Sequence, residues 1–243
     1  MIKLKIFSAI ASAVLVLCLA APAQAQSNRA WVSGNGSDAA GCGSPATPCR
    51  SFQYVHDNII AAGGEIDVLD PAGYGAITIT KALSIVNDGV GTAGVQQGTA
   101  GLNAITINAQ PADVVTLRGL NIDGLGTGQN GVVFNSGGGL TVVNCFIRHF
   151  AYDGSTLSTG NGIVIAPTSG PVSFVISDTT ASENGNAGIS YLPPSGAANT
   201  YGSIDHVVTT NNRVGVFIDT QSTSGGVVPV TISNSIARNN STI

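Results

Sequence analysis

The sequence predicts an all-β chain wound as a parallel solenoid, and three observations carry that reading. Charged residues make up only 9% of the 243 residues, beside 32 glycines and a 43% hydrophobic share. Ordinary globular chains hold roughly 25% charge. Apolar alternation comes in runs too short to bury a face alone, at 66–69, 77–79 and 83–85. Most telling are the repeats: "GVVF" at Gly131, "GIVI" at Gly162, "GISY" at Gly188 and "GVFI" at Gly215. Each is followed by a second run, "LTVVNCFI", "SFVISDTT", "SIDHVVTT" or "VTISNSIA". A period near 27 residues with short strands is satisfied when each unit forms one coil and neighbouring coils cover its apolar positions.

Taken in order, the chain opens with Lys3 and Lys5, an apolar stretch over 6–21, and Ala23-Gln24-Ala25. This is the pattern of a secretory signal peptide spanning 1–25. The apolar stretch is short for a bilayer, so no membrane span is expected once it is removed. Export follows, to the periplasm or outside the cell. The remaining chain holds seven basic residues against 13 acids, a net charge of −6. With no basic stripe to displace counterions, nucleic acid is excluded as a partner.

Residues 26–62 form an N-terminal segment. Cys42 and Cys49, in "GCGSPATPCR", are expected to pair as a disulfide, because an exported chain permits it and no partner His or Cys for a metal lies nearby. Cys145, inside an alternating apolar run, reads as a packed thiol. Residues 51–62, "SFQYVHDNIIAA", carry Phe52, Val55, Ile59 and Ile60 at helical spacing. Ser51 suits the N-cap and Gly63-Gly64 the stop. This helix is placed to cap the first coil.

Residues 63–243 are the solenoid. Ile66, Ile77 and Leu83 are expected to begin strands on three faces of one coil. Asn144, Asp178, His206 and Asn234 fall at equivalent places. Asn184, Asn212 and Asn240 recur every 28 residues and are expected to form a hydrogen-bonded turn ladder. Thr242-Ile243 begins another apolar run, which implies either further chain or closure by self-association; the oligomeric state is left open.

The stretch "CRSFQYVHDNIIAAGGEIDVLDPAGYGAITITKALSIV" resembles the opening of exported bacterial right-handed parallel β-helix proteins with the pectin-lyase-like fold. The Cys-Arg-Ser-Phe start, the Gly-Gly-Glu-Ile turn and the Asp-Pro-x-Gly-Tyr-Gly stretch carry the likeness. It implies an all-β, right-handed parallel β-helix of about six coils with an N-terminal capping helix. That fold hosts lyases, hydrolases, adhesins and inert scaffolds alike, so function rests on the residues.

Those residues point away from catalysis. Lys81 is the only lysine after residue 25, and the acids are scattered singly. "GGGL" at Gly137 lacks the Asp of a calcium-binding nonapeptide, and no cofactor or metal is implied. Asp178 and Asp205 are the best acid pair, but Asp178 aligns with His206, so the two carboxylates face apart. Glu183 reads as a solvated turn residue. Arg148 and His149 read as rim residues, and His56 as a surface or satisfied one. Tyr191, "YLPPSG" and Tyr201 suggest a loop whose aromatics stack on sugars. The expected function is non-catalytic binding or display, with a polysaccharide or cell-envelope glycan as partner. The alternative is a pectin-lyase-like polysaccharide lyase or glycoside hydrolase.

Overall fold

The structure is a computed structural model that describes residues 26–168, 170–195, 199–220 and 228–241. The expected signal peptide and Thr242-Ile243 lie outside the described residues. Among those described, no helix is long and apolar enough to cross a membrane.

The described residues form a parallel β-solenoid in which each complete coil gives one strand to each of three sheets. The first face stacks β1 (Ser27–Val32), β2 (Ile60–Val68), β5 (Leu83–Val86), β8 (Val114–Arg118), β11 (Gly139–Val143), β14 (Val172–Ser177), β17 (Thr200–Asp205) and β20 (Val230–Ser233). The second stacks β3 (Ala72–Gly73), β6 (Ala93–Gln96), β9 (Leu120–Asp123), β12 (Phe146–Arg148), β15 (Thr180–Ser182), β18 (Val208–Thr210) and β21 (Ile236–Arg238). The third stacks β4 (Ile77–Ile79), β7 (Ile105–Asn108), β10 (Asn130–Ser136), β13 (Asn161–Ile165), β16 (Ala187–Tyr191) and β19 (Val214–Ile218).

Parallel register turns the repeats into columns. Ile66, Ile85, Leu117, Val142, Ile176 and Ile204 stack inward on the first face. Ile79, Ile107, Phe134, Ile165 and Tyr191 do so on the third. All eleven are essentially buried. Burying a large aliphatic or aromatic side chain contributes about 1.5–3 kcal/mol, and here each is sheltered by the coils on either side.

The expected glycine row is present. Gly131, Gly162, Gly188 and Gly215 share one register position at the start of the third face. The reason is close approach. A Cβ on Gly131 would lie 2.3 Å from the Gly162 carbonyl oxygen, one on Gly162 2.6 Å from that of Gly188, and one on Gly188 2.8 Å from that of Gly215.

Three expectations need correction. Ile66 and Leu83 lie on the same face in successive coils, since Ile66 pairs with Ile85 and Leu83 with Gly64. The second face of the first coil is the two-residue strand Ala72–Gly73, too short to show alternation. The helix α1 spans only Phe52–Asn58, with Ser51 Oγ accepting from Tyr54 N. Residues 60–62 instead begin β2, and Gly63-Gly64 lie within it, because β1 and β5 supply strand partners on both sides. Finally, Tyr191 lies in β16, buried, with its hydroxyl 3.1 Å from Thr200 Oγ1. Tyr201 does stand outward, half exposed, on β17.

Candidate functional site

Two corners of the coil carry the polar chemistry. At the first corner, between the first and second faces, Asn144, Asp178, His206 and Asn234 occupy one column with φ of 53°, 49°, 52° and 47°. Asn and Asp tolerate this left-handed backbone better than most residues, and a sharp corner requires it. Immediately after, Cys145 is buried and its Sγ lies 3.3 Å from the Val143 carbonyl. Burial pushes its thiol up to about 11, so it is not a nucleophile near neutral pH.

The Asp178 and Asp205 side chains are not brought together. Asp205 accepts from Ser233 Oγ at 2.7 Å and Asn234 Nδ2 at 2.9 Å, and it lies 2.7 Å from His206 Nδ1. These bonds hold its carboxyl at about 2. Asp178 stands in the neighbouring column and touches Asp205 only through its backbone N–H.

At the second corner, between the second and third faces, His149, Glu183, Asn211 and Asn239 form another left-handed column, with φ of 61°, 56°, 56° and 54°. The next column is the expected ladder. Asn184 donates to Asn212 Oδ1 from both its backbone N and its Nδ2, each at 3.0 Å. Asn212 repeats both bonds to Asn240 Oδ1 at 3.1 and 3.2 Å. A second ladder, unforeseen, runs beside it. Asn130 Nδ2 donates to Asn103 Oδ1 at 3.0 Å, Asn161 N and Nδ2 donate to Asn130 Oδ1, and Ala187 N donates to Asn161 Oδ1.

The second corner also gathers the densest acid–base cluster among the described residues. Asp123, Arg148 and Ser182 share one register column, and His149 and Glu183 follow in the next. Arg148 Nε donates to Asp123 Oδ2 at 2.9 Å, and its guanidinium lies 5.0 Å above the Phe146 ring. His149 bridges two acids, with Nδ1 3.1 Å from Asp123 Oδ1 and Nε2 3.1 Å from Glu183 Oε2. Burial raises the Asp123 carboxyl, but hydrogen bonds from Leu125 N, His149 and Arg148 outweigh it and leave it below the usual range.

This arrangement suits clamping better than cleavage. Asp123 and Glu183 sit two rungs apart in adjacent columns, and one imidazole spans the gap between their carboxylates. The His149 imidazole fills the space between them, where a glycosidic bond and its water would enter. Both carboxylates are therefore engaged by cations or ring nitrogens rather than aimed at a substrate. Residue spacing gave no sign of this cluster, because the loop over 149–160 displaces Glu183 from the regular period.

The outward row of the first face is plain by contrast. Ser84, Thr116, Thr141, Val175, Ser203 and Thr231 present one small side chain per coil. Cys42 and Cys49 form the expected disulfide, with 5.0 Å between Cα atoms. His56 is buried and bonded: Thr80 N donates to its Nε2 at 3.1 Å, and its Nδ1 lies 2.6 Å from Asp57. Among the described residues, no three His, Cys, Asp or Glu side chains converge in a metal-binding arrangement. No protein-family model, curated protein or solved structure matches this chain.

Proposed function

We propose that this chain is an exported, pectin-lyase-like parallel β-helix that binds or displays without catalysing, with a polysaccharide or cell-envelope glycan as partner. One observation carries the reading: the acid–base cluster is closed on itself, with an imidazole lodged between its two carboxylates. Secretion or periplasmic residence accords with the Cys42–Cys49 disulfide, a bond that persists in oxidising compartments.

One feature favours the alternative, a polysaccharide lyase or glycoside hydrolase: an Arg, a His and two acids do meet at one corner. The test is to incubate the purified protein with acidic and neutral polysaccharides, with and without Ca²⁺, measuring binding and chain cleavage together. Retention of polymer without new ends supports the scaffold. Cleavage abolished by Asp123→Asn or Glu183→Gln establishes the enzyme instead.

A further inference from the structure

We infer that a hollow beside the second corner is a binding site for a neutral sugar ring, a reading that rests on the glycan-binding function proposed above. The hollow has a volume of about 310 Å³ and is lined by Thr127, Gln129, Tyr152, Asp153 and Thr159 from the loops of successive coils. It adjoins a second hollow of about 250 Å³, which shares Gly101 and carries Gln53, Gln97 and Asn103. The two together offer amides, hydroxyls and one aromatic ring, the groups that recognise an uncharged polyol.

The site is built and rigid rather than a gap between loose loops. Ala151 N donates to Gly128 O and Gly160 N to Gln129 O, each at 2.8 Å. Asn130 Nδ2 and Asn186 Nδ2 hold the Ser158 and Leu157 carbonyls at 2.9 Å. Two glycines exist here to admit Tyr152: a Cβ on Gly160 or on Gly185 would come within 2.7 Å of the Tyr152 backbone nitrogen. Gly160 also has φ of 74°. The Tyr152 ring is further fixed by the Arg213 guanidinium, 5.1 Å from its centroid, which itself donates to Asn186 Oδ1.

Within this frame two polar groups have no protein partner among the described residues. Neither the half-buried Gln129 amide nor the half-buried Tyr152 hydroxyl makes a hydrogen bond among the described residues. The Tyr152 ring is held in place, so a ligand that completes its hydroxyl meets a low ordering cost. Asp153 sets the charge preference. Thr156 and Ser155 N–H groups hold its carboxyl well below the usual range, so it stays anionic and disfavours a uronate.

The test is calorimetric titration of the purified protein with neutral oligosaccharides (β-linked glucose, xylose and N-acetylglucosamine series) and with oligogalacturonate. A neutral series is expected to bind and the acidic one not. Gln129→Ala and Tyr152→Phe each remove one unpaired group without breaking a bond in the fold, and each should weaken binding about fivefold, as loss of one neutral hydrogen bond does. Tyr201→Ala, on the first face, should leave it unchanged. Glycan binding untouched by both hollow variants, or lost in Tyr201→Ala, overturns this site while leaving the glycan-binding function standing. Preference for oligogalacturonate overturns the neutral-sugar assignment. Failure to bind any glycan overturns both.

Discussion

The first and the last described rungs of the solenoid are covered differently. On the first rung the outer edge of β1 is covered at its C-terminal end: Trp31 N donates to Gly43 O, Cys49 N to Trp31 O and Ser33 N to Cys49 O. The loop that supplies these partners is closed by the Cys42–Cys49 disulfide. Beneath it α1 buries Phe52 and Val55, and Asp70 ties Ser33 Oγ, Gly34 N and Tyr74 Oη together. On the last described rung the inward columns are sheltered from one side only. Ile218 and Ile232 continue the buried stacks of Tyr191 and Ile204, yet are 39% and 49% exposed. A rung of this solenoid is thus as stable as its neighbours make it, and a parallel stack needs something other than itself at an edge.

That difference predicts a gradient of stability along the axis, which four substitutions perturb in order of size. Asn212→Ala removes the acceptor of Asn184 N and Nδ2 and leaves the Ala181 carbonyl without its donor. With two or more buried groups orphaned, it should cost about 4 kcal/mol. It should also release β18–β21 before the rest, seen as a separate early transition in thermal unfolding. Gly131→Ala forces a methyl against the Gly162 carbonyl in mid-stack and should cost about 3 kcal/mol. Because rungs on both sides depend on this contact, the expected result is one cooperative transition shifted down.

Removing the disulfide by Cys42→Ser with Cys49→Ser should cost about 2–3 kcal/mol in the chain-entropy account of so short a loop. Amide exchange in β1 should then approach that of the last rung, erasing the asymmetry. Asp70→Asn is the smallest change, about 1 kcal/mol after allowance for solvent at this partly exposed site. Its sign with pH is fixed. Hydrogen bonds from Gly34 N and Ser33 Oγ hold the Asp70 carboxyl below its usual range. Its contribution is therefore complete above the unfolded value near 3.9 and is lost as pH falls through the folded one. Chemical denaturation from pH 6 down to 2 should show a steeper acid loss in the native chain than in the variant.

What the sequence made legible was whatever keeps a fixed offset from a strand. The glycines at 131, 162, 188 and 215 and the asparagines at 184, 212 and 240 do so, and their columns could be read before any coordinates. The Asn103–Asn130–Asn161 ladder has unequal spacings, 27 and 31 residues, because the loop before Asn161 is longer. Those asparagines therefore looked like separate turn residues. The meeting of Asp123, Arg148, His149 and Glu183 was hidden for the same reason. The end of α1 was misplaced because Ile59 and Ile60 fit helical spacing, while the deciding partner of β2 is β1, some 35 residues upstream.

The central claim is that backbone and asparagine bonds between rungs, rather than any rung alone, hold this molecule together. Residue-resolved amide hydrogen exchange tests it most directly. The account predicts that the Asn184 amide and those of β8 and β11 exchange slowest, that Asn212 is intermediate, and that β20 and β21 exchange fastest. Equal protection along the axis, or Asn184 exchanging as fast as an exposed loop amide, would contradict it.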